Sequence, residues 1–286
     1  MCRYIIRKIK LLRNFHEPIG LFALAPKCPL LYLFAMKRIL LFTCCLLLIG
    51  SVLRAQTALY SENFNGATNT FSLNTSDLSS ATNGYNDWVV NNNYTGGATT
   101  IICLGFPFAI TVPNSPNQPA GINGFPNSSY LHMLSDDAAA ANILNANYRP
   151  ADGLCVFPEN YFARMTNDIS TVGNINTTLS FYWMCGGAVG TTYGEVHYST
   201  DGGSTWTLIT SPISQYFNQP TWVQQTITDP AFDNQSTLRF GFRFVNLTAS
   251  AGSEPGFSID EIVITAQTGC ASTTGSTTAT ICQGDS

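Results

Sequence analysis

The chain has 286 residues, of which only 10% are charged, and its formal net charge is −4 at pH 7. The charges are unevenly placed. Nine of the thirteen Lys and Arg precede residue 56, and the rest of the chain holds four arginines, no lysine and sixteen Asp and Glu, a net charge of −12. A surface of that sign repels nucleic acid and anionic lipid, which excludes nucleic-acid binding. It suits divalent cations, neutral ligands or solubility alone.

The first 55 residues are typical of a leader. Residues 36–55 contain two basic residues, then fifteen apolar or small ones, then a short polar exit ending at Ala55, which is the pattern of a secretory signal peptide. The apolar run is shorter than the roughly 20 residues of a membrane span, so we predict no membrane insertion after cleavage; a retained anchor is the alternative. Residues 1–35 are interpreted as a spurious upstream extension, with Met36 as the true start. We therefore predict a secreted or cell-surface protein.

Five cysteines follow the leader, and they also bear on the location of the protein. They are Cys103, Cys155, Cys185, Cys270 and Cys282. In an exported protein such residues are candidates for disulfides rather than catalytic thiols. Their number is odd, so at least one lacks a partner within the chain, and the spacing leaves the pairing open.

The composition of residues 56–267 predicts an all-β domain. Short runs of β-branched and aromatic residues alternate with clusters of Asn, Gly, Pro and Ser, and the only helical turn expected is the alanine-rich stretch 136–147. We predict a two-sheet antiparallel β-sandwich of the jelly-roll type, whose length is ordinary for one domain. Residues 268–286 turn to Thr, Ser and Gly, and are interpreted as a linker and the truncated start of a further β repeat.

Several runs predict individual strands. They are Leu59–Phe64, Asp87–Val90, Tyr130–Leu134, Leu179–Met184, Leu238–Val245 and Gly256–Thr265. The fourth is apolar throughout, which indicates a central strand buried on both faces, and the fifth alternates cleanly between apolar and polar residues. Residues 111–127, rich in Pro, Asn and Gly, predict a long surface loop.

Gly194–Ile209, with the sequence GEVHYSTDGGSTWTLI, predicts a β-hairpin around a tight Asp-Gly-Gly turn. Side chains alternate between the two faces of a strand, which places Val196 on the core face and His197 on the solvated face. We predict that Trp206 and Leu208 return to the core face after the turn.

The turn of this hairpin fits the Asp-box pattern S-x-D-x-G-x-T-W of sialidases. The matching residues are Ser199, Asp201, Gly203, Thr205 and Trp206. Sialidase propellers carry several copies, whereas this chain has one and lacks the arginine cluster and tyrosine nucleophile. We therefore predict a structural turn in which Asp201 accepts backbone N–H bonds.

Taken in order, these segments resemble a group of secreted jelly rolls that includes MAM domains and the cleaved-adhesin domains of bacterial surface proteins. The resemblance rests on Glu62–Phe64, Leu179–Trp183, Val196–Trp206, Trp222, Leu238–Phe244 and Gly256–Ile264. It implies a concanavalin-like or galactose-binding-like sandwich, export, and a role in adhesion or glycan contact. The tail is similar to the opening of the short Cys-containing repeats that follow such domains.

The resemblance also implies a structural calcium where the first and last strands meet. The matching positions are Glu62 and Asp260, with Asn65 as a helper. Both carboxylates lie on largely apolar strand faces, where a lone carboxylate is costly to bury. The alternative is that each carboxylate caps loop amides.

The sequence also suggests ligand contacts. The candidates are Tyr94, Tyr193, Tyr216, Phe217, Arg239 and Arg243. The four aromatic residues have Gly, Asn or Gln neighbours, which predict exposed loops where rings can stack on sugars. The two arginines share the outward face of one strand, where they are either ion-paired or in contact with a carboxylate or a sugar hydroxyl.

The leading functional hypothesis is a non-catalytic extracellular module that binds a glycan or a host or cell-surface protein, with calcium as a structural cofactor. Catalysis lacks support because neither His132 nor His197 has the spacing of a triad or a metal site, and the pair Asp136 and Asp137 is typical of a helix start. The alternatives are an accessory domain of a secreted peptidase or glycosidase, or a structural spacer without a ligand.

Overall fold

The computed structural model describes residues 56–248 and 254–269. These residues form two packed antiparallel sheets and a separate hairpin, which confirms the predicted all-β sandwich. The predicted signal peptide lies outside the described residues. So does the predicted tail, including Cys270 and Cys282, except for its first two residues. No helix in the described ranges is long and apolar enough to cross a membrane.

The described ranges contain thirteen strands and one short α-helix. The strands are β1 (Thr57–Glu62), β2 (Phe71–Thr75), β3 (Asn86–Asn91), β4 (Gly97–Cys103), β5 (Phe106–Val112), β6 (Tyr130–Ser135), β7 (Glu159–Met165), β8 (Asn174–Cys185), β9 (Thr192–Ser199), β10 (Thr207–Leu208), β11 (Gln219–Thr228), β12 (Arg239–Asn246) and β13 (Ser258–Thr268). The helix α1 covers Asp136–Ala140, and single 3-10 turns occur at Asp77–Ser79 and Pro230–Phe232.

The strands are arranged in two large sheets. One has the order β11-β8-β13-β6-β3, with β1 also paired to β13, and the other has the order β10-β9-β12-β7-β2. The apolar run Leu179–Met184 lies inside β8, between β11 and β13, as its sequence predicts. Strands β4 and β5 pair only with each other and form a hairpin outside both sheets.

Aromatic side chains fill the space between the sheets. The alternation in β12 places Phe240, Phe242 and Phe244 inward, and all three are fully buried. The ring of Phe242 lies 5.3 Å from that of Phe181 in the opposite sheet and 6.5 Å from that of Phe257, measured between centroids. The same alternation directs the residues between these phenylalanines to the outer face of the five-stranded sheet.

The register of the β9–β10 hairpin differs from the prediction. Thr207 pairs with Tyr198 and Leu208 with His197. Leu208, and Trp206 two residues before it, therefore share the outer face with His197, and the prediction that they return to the core face was wrong. Because side chains alternate along a strand, a turn one residue longer or shorter moves every following side chain to the other face.

Candidate functional site

Two carboxylates lie where strand β13 changes its neighbour. One edge of β13 pairs with β6 through Ser258 and Ile259, and with β1 from Ile262 onwards. Between these segments the ladder is irregular at Asp260 and Glu261, and Glu261 has a positive φ of 49°. Their side chains therefore meet the loop that joins β5 to β6 rather than a neighbouring strand.

Asp260 is fully buried and has no cationic partner among the described residues. Its Oδ2 accepts a hydrogen bond from Gln118 Nε2 at 2.6 Å and lies 3.4 Å from Ser128 Oγ, and its Oδ1 accepts one from the Glu261 amide at 2.7 Å. Burial raises the pKa of Asp260 to about 8, and the nearby charges of Glu261 and Glu62 add to the rise. The site therefore favours either a proton or a positive charge.

Glu62 and Asn65, the other two predicted ligands, hold loops in place. Glu62 Oε1 accepts a hydrogen bond from the Phe64 amide at 2.8 Å, and Oε2 accepts bonds from the amide and the hydroxyl of Thr70 at 2.7 and 2.6 Å. Asn65 donates to the Asn123 carbonyl and accepts from the Ser129 amide, both at 3.0 Å. For Glu62 this is the alternative that the sequence left open, the capping of loop amides.

The residue types at this junction are those that a hard cation prefers, because Glu62, Asp260 and the neighbouring amide side chains carry oxygen atoms. The oxygens of Glu62 and Asn65 already accept hydrogen bonds from the protein, so an ion would have to compete with these donors. Within the described part of the chain, no group of three or more His, Cys, Asp or Glu side chains is placed to hold a metal ion. A calcium ion here would therefore draw its remaining ligands from amide and backbone oxygens.

The outer face of the five-stranded sheet carries a second group of side chains, which we call the outer-face cluster. Its members are Asp77, Asn160, Phe162, Arg164, Asp168, Glu195, His197, Trp206, Arg239 and Arg243. The cross-strand pairs of β12 with β7 and β9 bring the members on these three strands to one face.

Aromatic rings form the centre of this cluster. The Phe162 ring is fully buried although it lies on the outer face, because it packs over Gly241. It also makes edge-to-face contacts with the rings of Trp206 and His197, at centroid distances of 4.9 and 5.8 Å. A Cβ atom at Gly241 would lie 2.4 Å from the Phe162 ring. The glycine of the β12 run thus leaves the space that the Phe162 ring occupies over the sheet.

We expect Gly241→Ala to destabilise the domain by about 1–3 kcal/mol, because the added methyl group must displace Phe162 and with it Trp206. Chemical denaturation and tryptophan fluorescence measure the two effects. In the double variant G241A/F162L, the smaller side chain should recover part of the loss. Equal and additive losses would show that the two positions are not in contact.

Each arginine of the cluster is held by a carboxylate. The ion pairs join Arg164 Nε to Asp77 at 2.8 Å, Arg239 Nε to Asp168 at 2.5 Å, and Arg243 Nη1 to Glu195 at 3.2 Å. Arg243 Nε also donates to Asn160 at 3.0 Å. The predicted contacts Arg239 and Arg243 are therefore ion-paired, and three positive charges on one face are balanced by three negative ones.

His197 is buried, so the prediction that it is solvated was wrong. Its Nε2 lies 2.9 Å from Glu195 Oε2, and its Nδ1 has no hydrogen-bond partner among the described residues. Burial alone would raise the pKa of Glu195, but the hydrogen bond from His197 and the charges of His197 and Arg243 outweigh it and hold that pKa below its ordinary value. Phe162 and Trp206 cover this part of the face and exclude water from it.

The Asp-box residues form a tightly hydrogen-bonded turn at the edge of the cluster. Asp201 Oδ1 accepts bonds from the amides of Ser204 and Thr205 at 3.0 and 2.9 Å, and the Ser199 hydroxyl accepts one from the Gly203 amide at 2.8 Å. Hydrogen bonds from the side chain and amide of Thr205 lower the pKa of Asp201 to about 2. This network positions Trp206, whose Nε1 donates to Asp77 at 3.1 Å.

Three of the four aromatic candidates are not exposed. Tyr94, Tyr193 and Tyr216 have relative exposures of 8%, 9% and 0%, and Phe217 is half-buried. The Tyr94 hydroxyl donates to the Ser128 carbonyl, and Tyr216 packs against Trp183 in the core. The prediction of exposure was wrong for these three tyrosines because Gly and Asn neighbours mark a turn without indicating the direction of the ring.

Phe162, Asp77 and Asp168 were not predicted as members of the outer face, and the pairing of Glu195 with Arg243 was not predicted either. Glu195 lies opposite Arg243 across the β9–β12 pair, and Phe162 lies opposite it across the β7–β12 pair. Only the strand register brings these residues together, and one sequence without that register carries no signal for it.

The chain was compared with known proteins. Searches with protein-family models and of curated proteins found no match. Among solved structures, it is similar to the K1 and K3 cleaved adhesin domains of Lys-gingipain from Porphyromonas gingivalis W83. K1 is 15% identical with a TM-score of 0.35, covering 73% of this chain and 97% of that one, and K3 is 16% identical with a TM-score of 0.35, covering 73% and 98%. The CBM22-1 xylan-binding domain from Paenibacillus barcinonensis is 10% identical with a TM-score of 0.32, covering 76% and 98%. Similarity at these levels carries no conclusion about function.

Proposed function

We propose that residues 56–267 form a non-catalytic extracellular module that binds a neutral glycan on the outer face of the five-stranded sheet. The observation that carries the proposal is the outer-face cluster, in which the half-buried Trp206 lies beside Arg239 at the Gly203 turn. An indole ring offers a flat apolar surface to a sugar ring, and paired arginines and carboxylates retain donors and acceptors for hydroxyl groups. These are the groups that a hydroxyl-rich ligand needs.

The charge balance of the cluster favours a neutral ligand. Arg164, Arg239 and Arg243 each face a carboxylate, so the cluster offers an anion no unpaired arginine. The acidic surface that surrounds it repels polyanions. A glycan without carboxylate or sulfate groups does not require an unpaired arginine and is not repelled by the negative charge of the protein.

We also propose that calcium binds at the junction of β1 and β13. Asp260 is the central ligand of this proposal because it is buried without a cationic partner among the described residues, and Glu62 and Asn65 are the further ligands. A bound ion would supply the missing positive charge and join the first and last strands of the domain to the β5–β6 loop.

An extracellular address is supported by the disulfide between Cys103 and Cys155. Disulfides persist in oxidising compartments and are rare in the cytosol. Together with the signal-peptide pattern of residues 36–55, this favours export.

The test is a glycan array followed by calorimetry on residues 56–268 with the variant Trp206→Ala. We expect the variant to lose at least tenfold in affinity for any glycan that the wild type binds, because a central Trp commonly contributes 2 kcal/mol or more to binding. Phe157→Ala, which removes an exposed ring outside the cluster, is the matched control and should bind as the wild type does. Binding that survives W206A, or an array without any signal, would reject the outer face as a glycan site.

A further inference from the structure

A cavity of about 720 Å³ lies under the β4–β5 hairpin. Its size is that of a small-molecule pocket. It is separate from the outer-face cluster and from the β1–β13 junction, since it shares no residue with either.

One side of the cavity is apolar. Ile101, Phe108 and Ile110 line it from the hairpin, and Leu154 lines it from the loop that follows α1. Phe108 is 51% exposed although it faces the cavity, and Leu154 is 59% exposed. No Asp, Glu, Lys or Arg occurs between residues 88 and 135, so the hairpin carries no charged side chain. An apolar surface of this kind, left open to water, is typical of a binding site.

The apolar wall is held in place covalently. The disulfide joins Cys103, at the end of β4, to Cys155, next to Leu154. Cys103 itself lines the cavity. The hairpin and the Leu154 loop, which together form the apolar wall, are therefore linked to each other, and the disulfide limits movement of the hairpin away from the loop.

The other side of the cavity holds polar groups with unused hydrogen-bonding capacity. Ser135 Oγ is buried without a partner, and Glu254 Oε2 also has none, while Glu254 Oε1 accepts a bond from the Tyr148 amide at 3.3 Å. Arg149 Nη1 contacts Asp137. Burial raises the pKa of Glu254 to about 8, so this carboxyl group keeps its proton at neutral pH.

All three polar groups can donate a hydrogen bond. The hydroxyl of Ser135, the guanidinium of Arg149 and the protonated carboxyl of Glu254 are donors. The remaining carboxylate at the cavity, Asp152, uses its Oδ1 to accept hydrogen bonds from the amides of residues 154, 155 and 156 at 2.8, 2.6 and 2.9 Å. The polar side of the cavity therefore offers three donor groups to an acceptor on the ligand.

We propose that this cavity binds a small amphiphile with an apolar chain or ring and a carboxylate head group. The apolar part lies against Phe108 and Leu154, and the carboxylate accepts hydrogen bonds from Ser135 and Arg149. An ammonium head of the same size would face these donors and the guanidinium charge, and is disfavoured. An alcohol would accept the hydrogen bonds without the charge and bind with intermediate affinity.

The test uses three probes with the same chain, octanoate, octanol and octylamine, titrated calorimetrically into residues 56–268 below their aggregation concentrations. We expect one octanoate per molecule, bound at least tenfold more tightly than octylamine, because hydrogen bonds to a charged group contribute about 1.5–3 kcal/mol. Arg149→Gln should reduce octanoate affinity roughly tenfold and leave octanol affinity unchanged. Phe108→Ser should weaken the binding of all three probes.

Ser135→Ala keeps the test decisive if Arg149→Gln disturbs the fold. The Ser135 hydroxyl has no partner in the protein, so its removal should leave the melting temperature unchanged and weaken octanoate severalfold. The proposal is overturned if no probe binds, if octylamine binds as well as octanoate, or if S135A and F108S both bind octanoate as the wild type does. These outcomes are independent of the glycan array, because no variant used here belongs to the outer-face cluster.

Discussion

Asp260→Asn is expected to raise the melting temperature at pH 8 in buffer without divalent cations. The pKa of Asp260 is raised from 3.8 to about 8 in the folded protein, so the buried carboxyl group contributes most to stability below pH 4 and loses that contribution as pH rises towards 8. The loss is on the order of 5 kcal/mol once the group is fully ionised. Asparagine carries no charge and should remove this pH dependence, although its single oxygen can replace only one of the two acceptors that serve Gln118 Nε2 and the Glu261 amide.

The measurement is thermal unfolding of the wild type and the D260N variant from pH 4 to pH 9 with chelator present. The pKa values of Glu254 and Asp87 are also raised, to about 8 and about 6, so the wild-type curve alone contains several contributions in the same direction. The difference between the two proteins isolates Asp260. Parallel curves would show that this carboxyl group titrates as an ordinary one.

Glu62→Gln is the contrasting variant. Both Glu62 oxygens accept hydrogen bonds from Phe64 and Thr70, so an amide in its place presents an NH₂ group to donors. We expect it to destabilise the protein by about 1–3 kcal/mol for the unsatisfied group.

Calcium separates the metal proposal from the pH effect. If the ion binds at Asp260, it should raise the wild-type melting temperature at pH 8, raise it less at pH 5 where the proton competes, and leave D260N unchanged. A wild-type melting temperature that calcium does not change would remove the metal from this junction and leave the pH prediction intact.

The sequence predicted the core strands well because their signal is local. The alternation of β12 and the apolar run of β8 each determine which face is buried without reference to any other strand. The predicted strand at the start of the domain extended to Phe64, whereas β1 ends at Glu62. There the carboxylate of Glu62 turns the chain, and Phe64 takes a positive φ of 54°.

The outer-face cluster could not be predicted because it depends on register and on long-range pairing. His197 is polar and lies between apolar neighbours, a pattern that indicates a solvated face, yet Phe162 from β7 and Trp206 from the turn cover it. Both rings reach that position through Gly241, which is opposite Arg164 on one side and His197 on the other. No local pattern in a single sequence identifies which strand lies beside which.

Replacing both Cys103 and Cys155 by serine is expected to lower stability by about 4 kcal/mol. The disulfide spans 52 residues of sequence, and the loop-closure entropy that it removes from the unfolded chain has this magnitude. For a domain of about 200 residues the melting temperature should then fall by roughly 10 °C. Reductant should lower the wild-type melting temperature by the same amount and leave the double variant unchanged.

Cys185→Ala is the matched control, since Cys185 is a buried free thiol whose loss leaves the disulfide intact. Its melting temperature should still respond to reductant.

The double serine variant could instead lose octanoate binding while its stability falls by much less than about 4 kcal/mol. This result would mean that the β4–β5 hairpin detaches as a separate unit. The strands β4 and β5 pair with neither large sheet, so their attachment depends on the disulfide and on the small cluster of Val112, Ala138 and Ile143. Comparing the loss of stability with the loss of octanoate affinity in the double serine variant therefore measures how far the disulfide, rather than packing, holds the cavity wall in place.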